Sequence, residues 1–263
     1  MKESNQVKTV KFENYDISVT RLLEDLSFRE SLKSIKKIVI KPNLLEAVPH
    51  PCTTDVNCVL GVINYIRRSG SNIPITVIEG SGGCSTKKSF SVLGYEKLNK
   101  IDGVKLLDVD DAELVRLENK DALAYKEIYL PCEAFEGFFI SIPALKDHMI
   151  TGVTLGMKNL VGLLPEKYYG GYWSYKRSDV HRVGINNAIV DLNIYLKIDL
   201  TIIDGRIGQY GSHLPGGRSF IPQKNILIGG YGVIEVDKMA AEILGHSFGS
   251  ISHLKLFSEI KRM

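Results

Sequence analysis

Cationic and imidazole side chains are concentrated in one stretch of the sequence, residues 143–165. This stretch reads PALKDHMITGVTLGMKNLVGLLP and contains Lys146, His148, Lys158 and Asn159. Two cations and an imidazole suit the binding of a phosphate, a carboxylate or an enolate, and an imidazole can transfer a proton near neutral pH. We therefore predict that His148 and Lys146 are catalytic and that Lys158 and Asn159 bind substrate. The alternative for His148 is a structural histidine that is satisfied by its neighbours.

Further polar residues lie at the ends of two apolar runs that are typical of strands. Lys41 and Asn43 end the run KKIVIKPNLL, and Asp204 closes TIIDG. Ligands of parallel α/β sheets bind outside the carboxyl ends of the strands. We predict that Lys41 and Asn43 bind substrate and that Asp204 is catalytic, orienting the site or holding a cation. The alternatives are a surface lysine or an ion pair with Glu79 for Lys41, a cap or an Asx turn for Asn43, and a turn at Asp204.

A glycine-rich segment, EGSGG, lies between a predicted strand and a predicted helix. Successive backbone N–H groups in such a loop can hold an anion. The segment is neither a Walker A motif nor a complete GxGxxG fingerprint. We predict that Gly80, Ser81, Gly82 and Gly83 bind substrate, with an ordinary tight turn as the alternative.

Two further segments carry candidates for anion binding. Arg218 belongs to GSHLPGGRS, which is either an arm that closes on an anion or a flexible surface loop. His181 begins a predicted helix after a polar, aromatic loop at residues 165–179, and it either reaches the site or only starts the helix. This loop is long enough to be a lid or to form a partner interface, and its aromatic residues are Tyr168, Tyr169, Tyr172, Trp173 and Tyr175.

The elements that must position these residues alternate between strand and helix along the first hundred residues. IVIKP, ITVIE and VKLLD read as strands, with helical segments between them. This alternation predicts an α/β fold with a mostly parallel sheet covered by helices on both faces. An antiparallel hairpin is predicted near residues 112–135. We expect one domain over residues 1–263, with a division near residue 112 as the alternative.

Composition excludes several classes of function. The 263 residues carry a net charge of +3, from 33 basic and 30 acidic residues, without a dense basic tract, so no nucleic-acid partner is predicted. No apolar run reaches the roughly 18 residues that span a bilayer, and we predict a cytoplasmic protein without a membrane partner. The cysteines are not arranged in CxxC pairs and are predicted to be isolated reduced thiols: Cys52, Cys58, Cys84 and Cys132.

Several of these motifs together resemble the domain-of-unknown-function family 362. The resemblance extends from about residue 36 to 246, and its most specific part is the Lys-x-His run followed by Lys-Asn-Leu-x-Gly. It is carried by KPNL, VIEGSGG, the stretch 142–165, a histidine-led helix ending in AIVDL, TIIDGRIGQYG and IEVDKMAAEILG. Some relatives contain ferredoxin-like iron–sulfur modules, but this sequence contains no CxxCxxC tract. The resemblance implies the fold and the site positions more than any reaction.

Two hypotheses of function follow. The first is an enzyme that binds a small anionic metabolite and transfers a proton through His148. The second is a non-catalytic cofactor-binding or redox-accessory protein without its own iron–sulfur cluster, which would dock a redox partner protein. A divalent metal held by Asp204, Glu79 or histidines is a weaker alternative, and no metal ligands are assigned. The sequence specifies no cofactor and leaves open whether the chain forms a homo-oligomer.

Overall fold

The computed structural model describes residues 6–174 and 176–261, so Tyr175 of the aromatic loop lies outside the described residues. Its strands are β1 Val7–Lys11, β2 Ile38–Pro42, β3 Ile75–Glu79, β4 Val104–Asp108, β5 Leu114–Glu118, β6 Glu127–Pro131, β7 Phe138–Ile142, β8 Ala144–His148, β9 Gly152–Thr154, β10 Leu200–Tyr210, β11 Arg218–Ser219 and β12 Ile226–Gly230. Its α-helices are α1 Tyr15–Asp25, α2 Phe28–Leu32, α3 Val56–Arg68, α4 Thr86–Val92, α5 Gly156–Asn159, α6 Glu166–Tyr169, α7 Asp179–Arg182, α8 Ile185–Tyr195, α9 Val233–Leu244 and α10 Ser252–Ile260.

The main sheet has the strand order β1-β12-β10-β7-β2-β3-β4. The pairs from β10 through β7, β2 and β3 to β4 are parallel, whereas β12 pairs antiparallel with both β10 and β1. Short strands β8, β9 and β11 extend the sheet beside β10. The predicted α/β class with a mostly parallel sheet is therefore confirmed. The antiparallel edge was not foreseen, because the sequence of β12 gives no sign of its direction.

Alternate residues of the central strands enter two hydrophobic cores, one on each face of the sheet. On β2, Ile38 and Ile40 pack in the core that contains the apolar side chains of α1 and α3. Val39, between them, packs in the core that contains those of α8 and α9. This two-residue period is expected of strands that are covered on both faces. Helices therefore cover both faces of the sheet, as predicted.

The predicted hairpin is confirmed as strands β5 and β6, which form a separate two-stranded antiparallel sheet. The connection between the strands is anchored by a buried carboxylate of α8. Asp191 accepts backbone N–H groups from Leu123, Ala124 and Tyr125 at 2.7–2.8 Å. The hairpin is thus joined to the main body by hydrogen bonds as well as by packing.

Glycines divide two helices that the sequence predicts as continuous. Gly94 adopts φ +74° after α4, and the chain continues as a 3₁₀-helix over Tyr95–Lys100. Gly184, at φ +90°, separates α7 from α8 in the same way. A positive φ is accessible to glycine at little cost but not to most residues. His181 before this break and Ile185 after it both line the cavity described below.

The four cysteines are free thiols, as predicted. No helix in the described parts of the chain is both long and apolar enough to cross a membrane. The assignment of residues 1–263 to a single domain stays a prediction.

Candidate functional site

A cavity of about 290 Å³ opens at the carboxyl ends of β2, β3 and β8. One wall is formed by α5, and the opposite wall is formed by the segment from Trp173 to His181. Seven of the predicted site residues line this cavity: Asn43, Gly80, Gly82, His148, Lys158, Asn159 and His181. Segments that are far apart in sequence therefore meet at one edge of the parallel strands, where ligands of such sheets bind.

Lys41 lies directly behind the cavity and has an internal counter-ion. Its Nζ lies 2.8 Å from Oε1 of Glu79, and both side chains are almost completely buried. The second oxygen of Glu79 accepts the N–H of Leu44 at 2.8 Å. Because a buried charge needs a partner, this pair is satisfied without a ligand. The geometry corresponds to the ion pair that was the alternative to substrate binding for Lys41.

Asn159 connects this ion pair to the neighbouring strand. Its Nδ2 donates to the carbonyl oxygen of Lys41 at 2.9 Å and to Oγ of Ser141 at 3.0 Å, while its Oδ1 accepts from Nδ2 of Asn43 at 3.3 Å. The hydrogen bonds of the Asn159 side chain thus join α5 to β2 and β7. Asn159 borders the cavity but also serves as a structural bridge.

Lys146 is fully buried next to the cavity and has only neutral acceptors. Its Nζ donates to Oδ1 of Asn43 at 2.7 Å and to the carbonyl oxygens of Cys52 and His213 at 2.6 and 3.5 Å. Burial lowers the pKa of Lys146 to about 8. Among the described residues, no carboxylate pairs with the ammonium group of Lys146 to balance its charge.

Lys158 is partly buried and projects into the cavity. Within residues 6–174 and 176–261, its ammonium group has neither a hydrogen-bond acceptor nor an ion-pair partner. Burial, followed by repulsion from Lys146, lowers the pKa of Lys158 to about 7. A desolvated cation without a partner is unfavourable, and an anion in the cavity would relieve this cost.

The position of Lys158 is fixed by a carboxylate of α9. Asp237, at the start of α9, accepts the N–H groups of Gly156 and Met157 at 2.8 Å each. These are the first N–H groups of α5, so they are not available to a ligand. Nothing in the sequence indicates that Asp237 has a partner 80 residues away.

His148 follows Lys146 by two residues on β8, and both side chains are buried. Its Nδ1 accepts backbone N–H groups from Ile150 and Thr151 at 3.1 and 3.2 Å. An N–H group can only donate, so Nδ1 carries no proton and the remaining proton of the ring is on Nε2. Burial and the charge of Lys158 hold the pKa of His148 well below its usual range. The ring is therefore a neutral hydrogen-bond donor.

Two more imidazoles complete the group, and one of them was not among the predicted site residues. The ring of His213 stacks on His148 with centroids 3.8 Å apart, and its buried Nδ1 has no hydrogen-bond partner. The ring of His181 packs against Trp173 at 4.1 Å. Burial and the charge of Lys158 lower the pKa of His213 to about 3 and that of His181 to about 4. The only sequence signal for His213 is its glycine-rich loop.

The glycine-rich loop at residues 79–83 borders the cavity but uses its own N–H groups internally. The N–H of Gly80 donates to Glu79, and those of Gly82 and Gly83 donate to the carbonyl oxygen of Leu45 at 3.1 and 2.8 Å. Ser81 is buried, and its N–H donates to Oγ1 of Thr86. The structure favours the tight turn over an anion cradle, and Ser81 and Gly83 do not line the cavity.

A buried arginine explains the glycine at position 80. Arg177 Nη1 donates to the carbonyl oxygen of Ser81 at 2.6 Å, and Nη2 donates to Asp110 at 2.7 Å. A Cβ on Gly80 would lie 2.3 Å from Nη2 of Arg177. The arginine thereby joins the 165–179 segment to the loop after β3, so this segment forms a wall of the cavity. Arg177 was not predicted as a site residue.

Asp204 is not brought to the cavity. It is on the same face of β10 as Leu200 and Ile202, which pack in the core under α1 and α3, and it therefore faces away from α5. Its carboxylate accepts the hydroxyl of Tyr15 at 3.0 Å and lies 3.3 Å from Nδ1 of His50. The reason is that β10 continues to Tyr210 instead of ending at Asp204. A catalytic position for Asp204 in this cavity does not agree with its location.

Arg218 also lies outside the cavity. It is exposed on β11, and its guanidinium is 6.0 Å from the ring centroid of Tyr210. The short strand β11 pairs with the end of β10, which directs Arg218 to the surface. The loop that precedes it contributes His213 and Leu214 to the cavity instead.

Among the described residues, no group of three or more histidine, cysteine, aspartate or glutamate side chains is placed to hold a metal ion. The chemistry that the arrangement offers is that of cations and neutral imidazoles. Such a site can hold an oxyanion, donate a hydrogen bond to it, and accept a proton from a neighbouring atom.

Fold and cavity together define an α/β protein with a cationic, histidine-rich cavity at the carboxyl edge of its parallel strands. The model of the family described as Domain of unknown function (DUF362) matches residues 38–242, and the chain belongs to this family. The chain is also similar to the Thylakoid-associated protein sll1697 of Synechocystis sp., with 26% identity over 204 residues. The similar region covers 74% of this chain and 60% of that relative, so the chain matches less than two thirds of the relative's length.

Proposed function

We propose that this protein is a cytoplasmic enzyme that binds a small metabolite bearing a phosphate or carboxylate and transfers a proton on it. The observation that carries the proposal is the ammonium group of Lys158, which projects into the cavity without a partner among the described residues. Three histidines that are neutral near pH 7 surround the same space. The anion of the substrate would provide the missing counter-charge.

Binding of an anion would change the protonation of the site. A negative charge beside Lys158 favours its ammonium form and raises its pKa from about 7. It also offsets the repulsion that Lys158 exerts on the imidazoles, which raises the pKa values of His181 and His213, whereas burial, the larger cause of their low values, remains. A stronger base accepts a proton more readily, so this rise makes the imidazoles better proton acceptors.

The histidines then have different roles. His148 presents Nε2–H, because its Nδ1 is occupied by two backbone N–H groups, and it donates a hydrogen bond to the oxyanion that forms during reaction. His181 lines the cavity, and its ring nitrogens make no hydrogen bond to another described residue. It is therefore the better acceptor for the substrate proton, whereas the sequence alone favours His148.

Anion binding can be tested with inorganic phosphate and sulfate by isothermal titration calorimetry at pH 7. We expect binding by the native protein and at least a tenfold weaker affinity for Lys158→Met, since loss of a charged hydrogen bond costs roughly 1.5–3 kcal/mol. Lys255→Met removes an exposed lysine on α10 and should leave the affinity unchanged. Equal affinities for the native protein and Lys158→Met would contradict the proposal.

Proton transfer can be tested by incubating the protein with a mixture of small carboxylates and phosphorylated metabolites in D₂O. Mass spectrometry should detect deuterium incorporation or conversion of one component. We expect His181→Ala to abolish this exchange and His148→Ala to reduce it, with both variants folded by circular dichroism. Anion binding without exchange or turnover would favour the second hypothesis, a non-catalytic protein that holds the ligand for a redox partner.

A further inference from the structure

The cavity contains polar atoms without partners near its base and exposed apolar side chains at its opening. Near its base, Oγ1 of Thr154 is buried and has no hydrogen-bond partner, and Nδ1 of His213 is in the same condition. The large side chains at the opening are apolar and unusually accessible. The exposed fractions are 60% for Ile150, 61% for Trp173 and 45% for Leu214.

Unpartnered polar atoms in a buried position indicate a missing hydrogen-bond partner. Thr154, at the end of β9, precedes Lys158 by four residues, and both side chains line the same cavity. A hydroxyl, an ammonium group and the Nε2–H of His148 can each donate a hydrogen bond to an oxygen of a phosphate or carboxylate. The base of the cavity therefore has the composition of a head-group site.

The opening offers little to a hydroxyl-rich ligand. Oγ of Ser178 already accepts the N–H groups of Tyr172 and Trp173 and donates to the carbonyl oxygen of Ser174 at 2.8 Å. Lys176 is paired with Glu166. The large exposed apolar side chains of the lining are Ile150, Trp173 and Leu214, and covering such surface with an apolar group is favourable.

We propose that the ligand is an amphiphilic anion, with its phosphate or carboxylate at Lys158 and Thr154 and an apolar or aromatic body against Ile150, Trp173 and Leu214. This inference rests on the proposed anion binding and names the class of substrate for that site. The cavity volume of about 290 Å³ is just below the roughly 300–1,000 Å³ of ligand pockets. It suits a head group with a body about the size of one ring.

The experiment compares three probes that carry the same head group: inorganic phosphate, glycerol phosphate and phenyl phosphate. Affinities are measured by calorimetry for the native protein, Trp173→Ala and Ile221→Ala. We expect phenyl phosphate to bind about tenfold more tightly than glycerol phosphate, which corresponds to about 1.4 kcal/mol. Trp173→Ala should bring this ratio close to one. Ile221, which is 95% exposed and outside the cavity lining, should not affect the ratio when replaced by alanine.

The outcomes separate this inference from the proposed function. Equal affinities for all three probes would overturn the amphiphilic ligand and leave anion binding intact, whereas no binding of inorganic phosphate would overturn both. If Trp173→Ala still binds phenyl phosphate about tenfold more tightly than glycerol phosphate, the apolar opening is not the source of the difference and the inference is overturned. Sedimentation velocity is run in parallel, because self-association that Trp173→Ala abolishes would identify the opening as a protein interface and overturn the inference.

Discussion

Lys41 and Lys158 border the same region of the molecule but differ in how their charges are balanced. Lys41 is fully buried and paired with Glu79, whose other hydrogen bonds hold the loops after β2 and β3. Lys158 is partly buried, has no partner among the described residues and faces an open cavity. Burial of a cation therefore does not by itself indicate a ligand site. The informative feature is a cation whose counter-charge the protein does not supply.

The same contrast separates the histidines. His50 contacts Asp204, accepts the N–H of Ile207 at 3.3 Å and is enclosed by its own neighbours. His213 and His181 border the cavity, and each presents ring nitrogen that no described residue binds. The cluster around Asp204 is therefore read as structural, and the cavity cluster is read as functional. The following predictions test this division.

The largest effect is expected for Glu79→Gln. This change leaves Lys41 buried without its counter-ion, and breaking a buried pair typically costs about 3–5 kcal/mol. We expect a decrease of that size in the free energy of unfolding measured with urea. Glu259→Gln, at an exposed position of α10, is the control and should change stability little. A Glu79→Gln protein of native stability would mean that the pair is not structural.

Asp204→Asn should be next in size. The amide cannot accept from all the donors around it, which include the hydroxyl of Tyr15 and the N–H groups of Asp55 and Arg206. A buried group without its partner costs about 1–3 kcal/mol, and we expect thermal unfolding to show this loss. Sulfate affinity should be unchanged, because Asp204 does not line the cavity. A folded variant with a tenfold weaker affinity would instead restore the catalytic role predicted from the sequence.

Sulfate binding and stability should depend on pH in opposite directions. Between pH 7 and 10 the unfolded state binds more protons at Lys158 than the native state, since the folded pKa is about 7 and the ordinary value is 10.5. The free energy of unfolding of the ligand-free protein should therefore rise over this range. Sulfate, whose charge is constant, requires the ammonium form, so its affinity should fall by about tenfold per pH unit above 7.

Calorimetry and urea unfolding at several pH values measure the two trends. Lys158→Met should reduce both slopes and leave the part that is due to Lys146, whose pKa is about 8. A sulfate affinity that does not vary with pH would show that Lys158 does not titrate in contact with the anion.

The smallest effect is expected for Asp147→Ala. Asp147 accepts the N–H of Gly211 at 3.1 Å and lies 2.9 Å from Nε2 of His246, so it holds the start of the loop that carries His213. Partly exposed pairs of this kind contribute less than about 1 kcal/mol, and we expect sulfate affinity to fall about twofold to fivefold. Glu30→Ala, which removes the exposed pair with Lys33, should have no effect on binding. A larger loss than Lys158→Met produces would indicate that Asp147 contacts the ligand.

Much of the fold follows from short-range signals in the sequence. Short apolar runs predict β2, β3 and β4, and Asp55 caps α3 by accepting the N–H of Asn57. The spacing of Lys146 and His148 correctly predicts two side chains on one face of a strand. These features depend on residues close together in the chain, so a single sequence is sufficient to find them.

The features that were missed depend on residues far apart. The direction of β12 is set by pairing with β10 and β1, so its last residues, Gly229 and Gly230, lie beside the start of β10. The sequence predicts that Asp204 lies at the end of a strand, because the glycine after it is typical of a turn. In the structure the strand continues to Tyr210. Arg177 and Thr154 have no local pattern that distinguishes them from surface residues. Their positions at the cavity are evident only from the folded structure.

The hydrogen bonds from Gly156 and Met157 to Asp237 have a consequence for the order of events during folding. Lys158 cannot be held in place until α9, which is formed by a much later part of the chain, has docked onto α5. Closing such a long loop is slow and entropically unfavourable, so the binding cavity should mature after the parallel strands have assembled. Recovery of sulfate affinity during refolding would then report the completed structure, and earlier compact states would not compete for the ligand.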